Sequence, residues 1–290
     1  MNQLIPPNLP ANTQAAEANI GRLLLDMEKI TPEQAERVLR LQKEQGLRFG
    51  DAARRLGLVT EADIRQVLAL QFDYPYLQPE QEHFSDDLVA AYHPFSQQVE
   101  ALRALRSQLV LRWFSEGHQT LAITAANEGD GCSYVAANLA VVFSQLGEST
   151  LLIDANLRTP RQKQIFNLGK PHGLSDILAG RAGLEAVSRI DSFVDLSVLG
   201  AGTEPPNPQE LLNRHAFPEL LAQLTQRYDI IILDTAPAIA SSDMQLIAAR
   251  AGGALIVARN NVTRLADLED IRQQITETGA HALGVVLNTF

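Results

Sequence analysis

The chain contains little cysteine, fewer basic than acidic residues and no long apolar run. Cysteine occurs once in 290 residues, so no disulfide can form within the chain and a reducing, cytoplasmic setting is expected. Lysine and arginine number 24 against 34 aspartates and glutamates, a net charge of −10. This balance argues against nucleic acid as a partner, because nucleic-acid phosphates attract basic surfaces. Neither a stretch of about 18 apolar residues nor a basic-then-apolar leader is visible, so any membrane association is expected to depend on a partner.

The most informative segment is the loop ANEGDGCS at residues 126–133. It follows an apolar stretch that predicts a strand and matches the phosphate-binding pattern G-x-x-x-x-G-K-[ST] at all but two positions: Ala126 replaces the first glycine and Cys132 the lysine. Glycines let backbone N–H groups surround a phosphate, and the following helix N-terminus adds partial positive charge. The predicted nucleotide-binding residues of this loop are Gly129, Asp130, Gly131, Cys132, Ser133 and Tyr134.

Cys132 has two interpretations. The favoured one is a small, neutral replacement for the lysine. The alternative is a reactive thiolate, because helix N-termini lower the pKa of a thiol.

The chain is predicted to contain a disordered tail (1–14), a small helical domain (15–78), an acidic linker (79–96) and an α/β domain (97–290). The helical domain carries an internal repeat offset by 29 residues, visible as Gly21 to Gly50 and Gln42 to Gln71. Each copy predicts a short helix, an N-cap threonine (Thr31, Thr60) and a second amphipathic helix.

Residues 97–290 alternate apolar strands with helices, which predicts a parallel sheet covered on both faces. Helices are predicted at 97–114, 133–146, 208–226, 243–250 and 264–278, and strands near 121–124, 150–153, 195–199, 229–233, 254–258 and 282–287. Asp154 and Asp234 each end an apolar strand. Unpaired carboxylates at such positions are hard to explain structurally, so both are candidate catalytic residues.

Together the loop, the two strand-end carboxylates and the helix motif Glu100-x-x-Arg103-x-x-Arg106 resemble the bacterial tyrosine kinases of capsule and exopolysaccharide operons, relatives of the MinD/ParA P-loop ATPases. The chain looks most similar to the chain-length-determinant (EpsG-type) subfamily. The resemblance implies ATP and Mg²⁺ as cofactors, with Ser133, Asp154 and Asp234 handling the metal and Asn288 near the adenine.

The same resemblance implies partners. The Glu100, Arg103 and Arg106 helix would assemble subunits into a homo-oligomer. A transmembrane chain-length determinant of the Wzz type would bring the chain to the inner membrane.

The sequence departs from the family where chemistry is expected. Cys132 stands where the family has a basic residue, and Asn156 replaces a second acidic residue. Arg158, also a candidate catalytic residue, or Lys163 could supply the missing charge.

The main expectation is a tyrosine autokinase-like protein. The alternatives are a pseudokinase scaffold that signals by assembly and a MinD-like ATPase that hydrolyses ATP.

The N-terminal repeat resembles the N-terminal domain of type II secretion and pilus ATPases, some of which bind cyclic di-GMP. Arg48, Gly50, Gly57 and Gln71 match that motif in the second copy, whereas the first copy has Asn19 in place of arginine. A helical docking module without nucleotide is the favoured interpretation, and cyclic di-GMP binding is the alternative.

Overall fold

The computed structural model describes residues 20–71 and 84–289. The chain divides into two compact units, with the boundary between Tyr76 and Leu77. The predicted tail, residues 1–14, and the beginning of the predicted linker lie outside the described residues. No helix among residues 20–71 and 84–289 is both long and apolar enough to cross a bilayer.

Residues 20–71, the described part of the smaller unit, form two helix pairs, the arrangement that the repeat predicts. Its helices are α1 (20–26), α2 (Pro32–Gln45), α3 (Phe49–Arg55) and α4 (Glu61–Gln71). Thr31 and Gln34 form a reciprocal capping box at the start of α2, and Thr60 and Asp63 make the same exchange before α4, which satisfies N–H groups that a helix start leaves unpaired. The core contains Leu24, Ile30, Val38, Phe49, Ala52, Ala53, Val59 and Val67.

The larger unit is built on a seven-stranded sheet of order β3-β4-β2-β5-β1-β6-β7. The pairs are parallel except β3 with β4. The strands are β1 (Thr120–Ala125), β2 (Thr150–Asp154), β3 (Ser188–Arg189), β4 (Leu196–Leu199), β5 (Ile230–Asp234), β6 (Gly253–Arg259) and β7 (His281–Asn288). The helices are α5 (Val89–Tyr92), α6 (Gln97–Arg112), α7 (Cys132–Ser144), α8 (Gln162–Ile165), α9 (Leu174–Leu178), α10 (Pro208–Leu212), α11 (Ala216–Leu224), α12 (Asp243–Ala251) and α13 (Leu265–Glu277).

Two apolar clusters lie on opposite faces of the sheet. Ile230 and Ile232 belong to one cluster, whereas Ile231 and Leu233 belong to the other, because successive strand side chains point to opposite faces. A strand buried on both sides therefore needs a continuous apolar run. The predicted doubly covered parallel sheet is confirmed.

The predicted helix 208–226 is in fact two helices, α10 and α11. Pro218 lies in the first turn of α11, where its missing N–H is tolerated. In the interior of one continuous helix the same residue would remove a hydrogen bond and clash with the preceding turn. The proline therefore requires a helix start just before it.

Part of the predicted linker belongs to the core of the larger unit. Leu88, Ala90, Ala91 and Tyr92 are buried there. The buried side chain of Asn138 on α7 accepts a hydrogen bond from Ala90 N and donates to Asp87 O, both at 2.8 Å. Residues 84–96 thus differ from the expected linker because the short apolar run at 88–92 gains burial against α7.

Candidate active site

The loop between β1 and α7 has the backbone of an anion-binding turn. Gly129 and Gly131 adopt φ values of 82° and 95°, a conformation that glycine reaches without strain. The Asp130 carboxylate is buried and accepts a hydrogen bond from Asn127 N at 3.0 Å. Asn288, at the end of β7, donates to Asp130 O at 3.3 Å. The Asp130 side chain therefore stabilises the turn of the loop from within. The backbone N–H groups of the loop are the part available to a phosphate.

Asp154 and Asp234 are register neighbours at the carboxyl ends of β2 and β5, and both are completely buried. Asp154 Oδ2 accepts hydrogen bonds from the backbone N–H groups of Arg161 and Gln162, at 3.1 and 2.9 Å. Its Oδ1 has no hydrogen-bond partner among the described residues. Gln162 Nε2 donates to Asp234 Oδ2 at 2.8 Å and to Ser133 O at 3.1 Å, so this amide lies between the second carboxylate and the loop.

The electrostatics of the pair call for a cation. Burial raises the pKa of Asp154 well above its usual value, and the neighbouring Asp234 charge raises it further. Burial also raises the pKa of Asp234, although hydrogen bonds from Gln162 and Ser133 oppose that shift. Two adjacent buried carboxylates repel each other when ionised, and a divalent cation relieves that repulsion.

The donor set fits Mg²⁺ bound together with a nucleotide phosphate. Within the described part of the chain no group of three His, Cys, Asp or Glu side chains is placed to hold a metal. Two carboxylates and the Ser133 hydroxyl are what the protein offers, and Mg²⁺ usually takes its other ligands from water and substrate phosphates. The unpartnered Asp154 Oδ1 is an acceptor that such a cation, directly or through its water shell, would satisfy.

The surroundings of Cys132 favour a neutral thiol. Its Sγ lies 3.1 Å from Ile123 O and 3.3 Å from Asp234 Oδ1. Burial, followed by the Asp234 charge, raises the pKa of the thiol well above its usual value. The structure therefore favours the neutral-replacement interpretation, because negative groups and burial outweigh any benefit from the helix N-terminus.

A cavity of about 720 Å³ opens beside the loop, within the range of roughly 300–1,000 Å³ found for small-molecule sites. Its walls come from the loop and the start of α7 (127–135), the segment after β2 (156–161), α6 and the end of β7. Gly129, Gly131, Cys132, Ser133, Tyr134 and Asn288 all line it. Asp154 and Asp234 do not line it, and both are completely buried.

Both basic residues considered as lysine substitutes lie away from the cavity. Arg158 makes a two-point ion pair with the buried Asp243, at 2.7 and 3.3 Å, and does not line the cavity. Lys163 lines a separate, small cavity. Asn156 does line the main cavity, but its Oδ1 accepts hydrogen bonds from the backbone N–H groups of Arg158 and Thr159, which shapes the turn after β2.

Sequence reasoning missed Arg161 and Gln162. Both follow the strand motif closely, as do the basic residues that were considered, but no spacing rule distinguishes an arginine that turns toward the loop from one that turns away. Only the path of residues 156–162 decides which side chains reach the cavity.

The helix motif on α6 is only partly exposed. Glu100 is exposed and forms an ion pair with Arg103, whereas Arg106 Nη1 donates to Val142 O at 2.6 Å. Arg106 therefore fastens α6 to α7. The subunit-assembly role of the three residues remains a prediction.

In the smaller unit two motif glycines have structural reasons. A side chain at Gly50 would approach Ile64 Cδ1 to 3.2 Å, and Gly57 has a φ of 68°. Arg48 occupies the position before α3, and the Gln71 side chain lies outside what the structure describes. Cyclic di-GMP binding by Arg48, Gly50, Gly57 and Gln71 stays a prediction.

Fold and site together are those of a P-loop domain whose loop lacks its lysine. No protein-family model matches the chain. Tyrosine-protein kinase wzc of Salmonella typhimurium is 33% identical over 202 residues, covering 70% of this chain and 28% of the relative. The solved kinase domain of the Escherichia coli tyrosine kinase ETK is 30% identical with a TM-score of 0.68, covering 74% of this chain and 89% of that domain. The cell-division ATPase MinD of Pyrococcus furiosus is 25% identical with a TM-score of 0.52, covering 59% and 71%.

The chain belongs to the bacterial tyrosine kinase family, which confirms the resemblance read from its motifs, and its larger unit has the MinD-like P-loop fold. It spans less than a third of the length of the curated relatives it matches.

Proposed function

We propose that the chain is an ATP-binding tyrosine autokinase-like component of exopolysaccharide synthesis that regulates chain length or export. Mg²⁺ would be held through Ser133, Asp154 and Asp234, and the phosphates would lie on the backbone of residues 129–134. The observation that carries the proposal is the buried pair Asp154 and Asp234, with one unpartnered oxygen, next to a glycine-shaped loop. Phosphoryl transfer depends mainly on such positioning and on charge stabilisation.

The partners belong to the same proposal. A transmembrane Wzz-type protein would hold the chain at the inner membrane from the cytoplasmic side, and copies of the chain would assemble through the exposed part of α6. Names such as the putative tyrosine-protein kinase EpsB of Ralstonia solanacearum support the exopolysaccharide setting.

The test is incubation of the full chain with γ-labelled ATP and Mg²⁺, with and without the cytoplasmic segment of the partner. Label on tyrosine that is lost in Ser133→Ala supports the kinase proposal. Phosphate release without phosphotyrosine would indicate a MinD-like ATPase instead. Nucleotide binding without either reaction would indicate the pseudokinase scaffold.

A further inference from the structure

Most of the charged residues that line the cavity beside the loop are acidic. Asp86, Asp87 and Glu128 line it, and Arg161 is the one basic residue that lines it within the described ranges. A nucleoside triphosphate would bring several more negative charges into the cavity, and the neutral thiol of Cys132 would offset none of them. Apart from Mg²⁺, the positive charge that stabilises a phosphate here must therefore come from a side chain outside the loop.

Arg161 is held where it can act on the loop. Its backbone N–H donates to Asp154 Oδ2 at 3.1 Å, which fixes the residue beside the strand-end carboxylates. Arg161 also lines the same cavity as Gly131 and Ser133 of the loop.

The present partner of Arg161 is one that a phosphate can replace. Arg161 Nη2 lies 3.3 Å from Asp87 Oδ2, and the two side chains are 53% and 47% exposed. Exposed ion pairs contribute little to stability. Arginine binds phosphate with two parallel hydrogen bonds, which are stronger than bonds between neutral groups. Asn138 anchors Asp87 through its backbone oxygen, so the aspartate stays at the cavity wall as a competitor.

We propose that Arg161 binds the terminal phosphates of the nucleotide in place of the missing loop lysine, and that Asp87 holds Arg161 when nucleotide is absent. The inference rests on the proposed nucleotide-binding function. It replaces Arg158 and Lys163 as the source of positive charge, because the first is held by Asp243 and the second lines another cavity.

The test is calorimetric titration of the full-length chain with MgATP and MgADP. Arg161→Gln is expected to weaken MgATP binding by about tenfold or more, since a charged hydrogen-bonding partner is lost, and to weaken MgADP binding less. Arg161→Lys keeps the charge and is expected to retain most of the affinity. Asp87→Asn removes the competitor and is expected to tighten MgATP binding.

The matched control is Arg272→Gln, because Arg272 forms a similarly exposed pair with Glu269 on α13, far from the loop in sequence and absent from the cavity lining. It should leave nucleotide affinity unchanged. Thermal unfolding checks that each variant folds. If Arg161→Gln does not fold, the inference is decided by whether Asp87→Asn tightens MgATP binding.

The outcomes separate the two proposals. If the wild type binds MgATP and Arg161→Gln changes that affinity by less than about twofold, the inference is overturned. The proposed function is not affected by that result. The inference is also overturned if Arg161→Gln weakens MgATP and MgADP binding equally and Arg161→Lys restores neither affinity. That result would indicate that Arg161 maintains the shape of the cavity and does not bind phosphate. A wild-type chain that binds neither nucleotide overturns the proposed function and this inference with it.

Discussion

Asp154→Asn is the substitution that best tests the electrostatic account of the site. An asparagine oxygen can accept the hydrogen bonds from Arg161 N and Gln162 N that Asp154 Oδ2 accepts now. The amide nitrogen would take the place of the unpartnered Oδ1. The change therefore removes a buried negative charge beside Asp234 with little change in shape.

Without metal, the variant is expected to be more stable than the wild type at neutral pH. Removing an uncompensated buried charge raises the free energy of unfolding by up to about 3 kcal/mol. The unsatisfied amide donor lowers it by about 1 kcal/mol or more. The net gain of about 1–2 kcal/mol would raise the melting temperature of the larger unit by roughly 2–8 °C. MgATP should stabilise the wild type and not the variant, because the variant has lost a metal-binding carboxylate.

The pH dependence gives a second check. A carboxyl whose folded-state pKa is raised destabilises the fold above that pKa, and the penalty disappears as pH falls toward the unfolded value near 3.9. The advantage of Asp154→Asn in metal-free buffer should therefore shrink on acidification. The measurement is differential scanning calorimetry over a pH series with EDTA.

Asp176→Asn is the control of opposite sign. Burial works against ionisation of Asp176, but hydrogen bonds from Thr203 and Gly173 and the Arg181 charge outweigh it and lower its pKa. Asp176→Asn should therefore destabilise the protein at neutral pH. A metal-free Asp154→Asn variant that melts below the wild type, or one that MgATP stabilises as much as the wild type, would refute the reasoning.

Three further outcomes are expected. Cys132 should react with a thiol reagent at less than about a tenth of the rate of a free cysteine until the protein is unfolded, because burial raises the pKa of its thiol; fast labelling of the native chain would contradict this. Asn138→Ala should lower the free energy of unfolding by about 2–4 kcal/mol in urea titrations, since it leaves Ala90 N and Asp87 O without their partner, whereas a loss below about 0.5 kcal/mol would argue against the anchoring role. Gly131→Ala and Gly117→Ala both place a side chain at positive φ and should cost about 1–2 kcal/mol each, but Gly131→Ala alone should weaken nucleotide binding, as calorimetry can show.

The sequence determined the elements whose signals are local. The run Ile230–Leu233 is apolar throughout, and a strand covered on both faces accepts such a run. Thr31 and Thr60 cap helices because their side chains bond to backbone three residues away, within one turn. Gly129 and Gly131 revealed the loop for the same reason, since positive φ is a property of single residues. Asp154 and Asp234 were found because each ends an apolar strand.

The tertiary structure decided what depends on contacts between distant segments. Nothing local to residues 84–96 says that Asn138 will bind their backbone, so a short apolar run in an acidic stretch looked like a linker. Arg158, Arg161 and Lys163 are all basic and lie close together in the sequence. They differ because Asp243 holds the first, Asp87 the second, and the third faces another cavity. The sequence shows which residues are charged, but packing fixes the direction in which each side chain points.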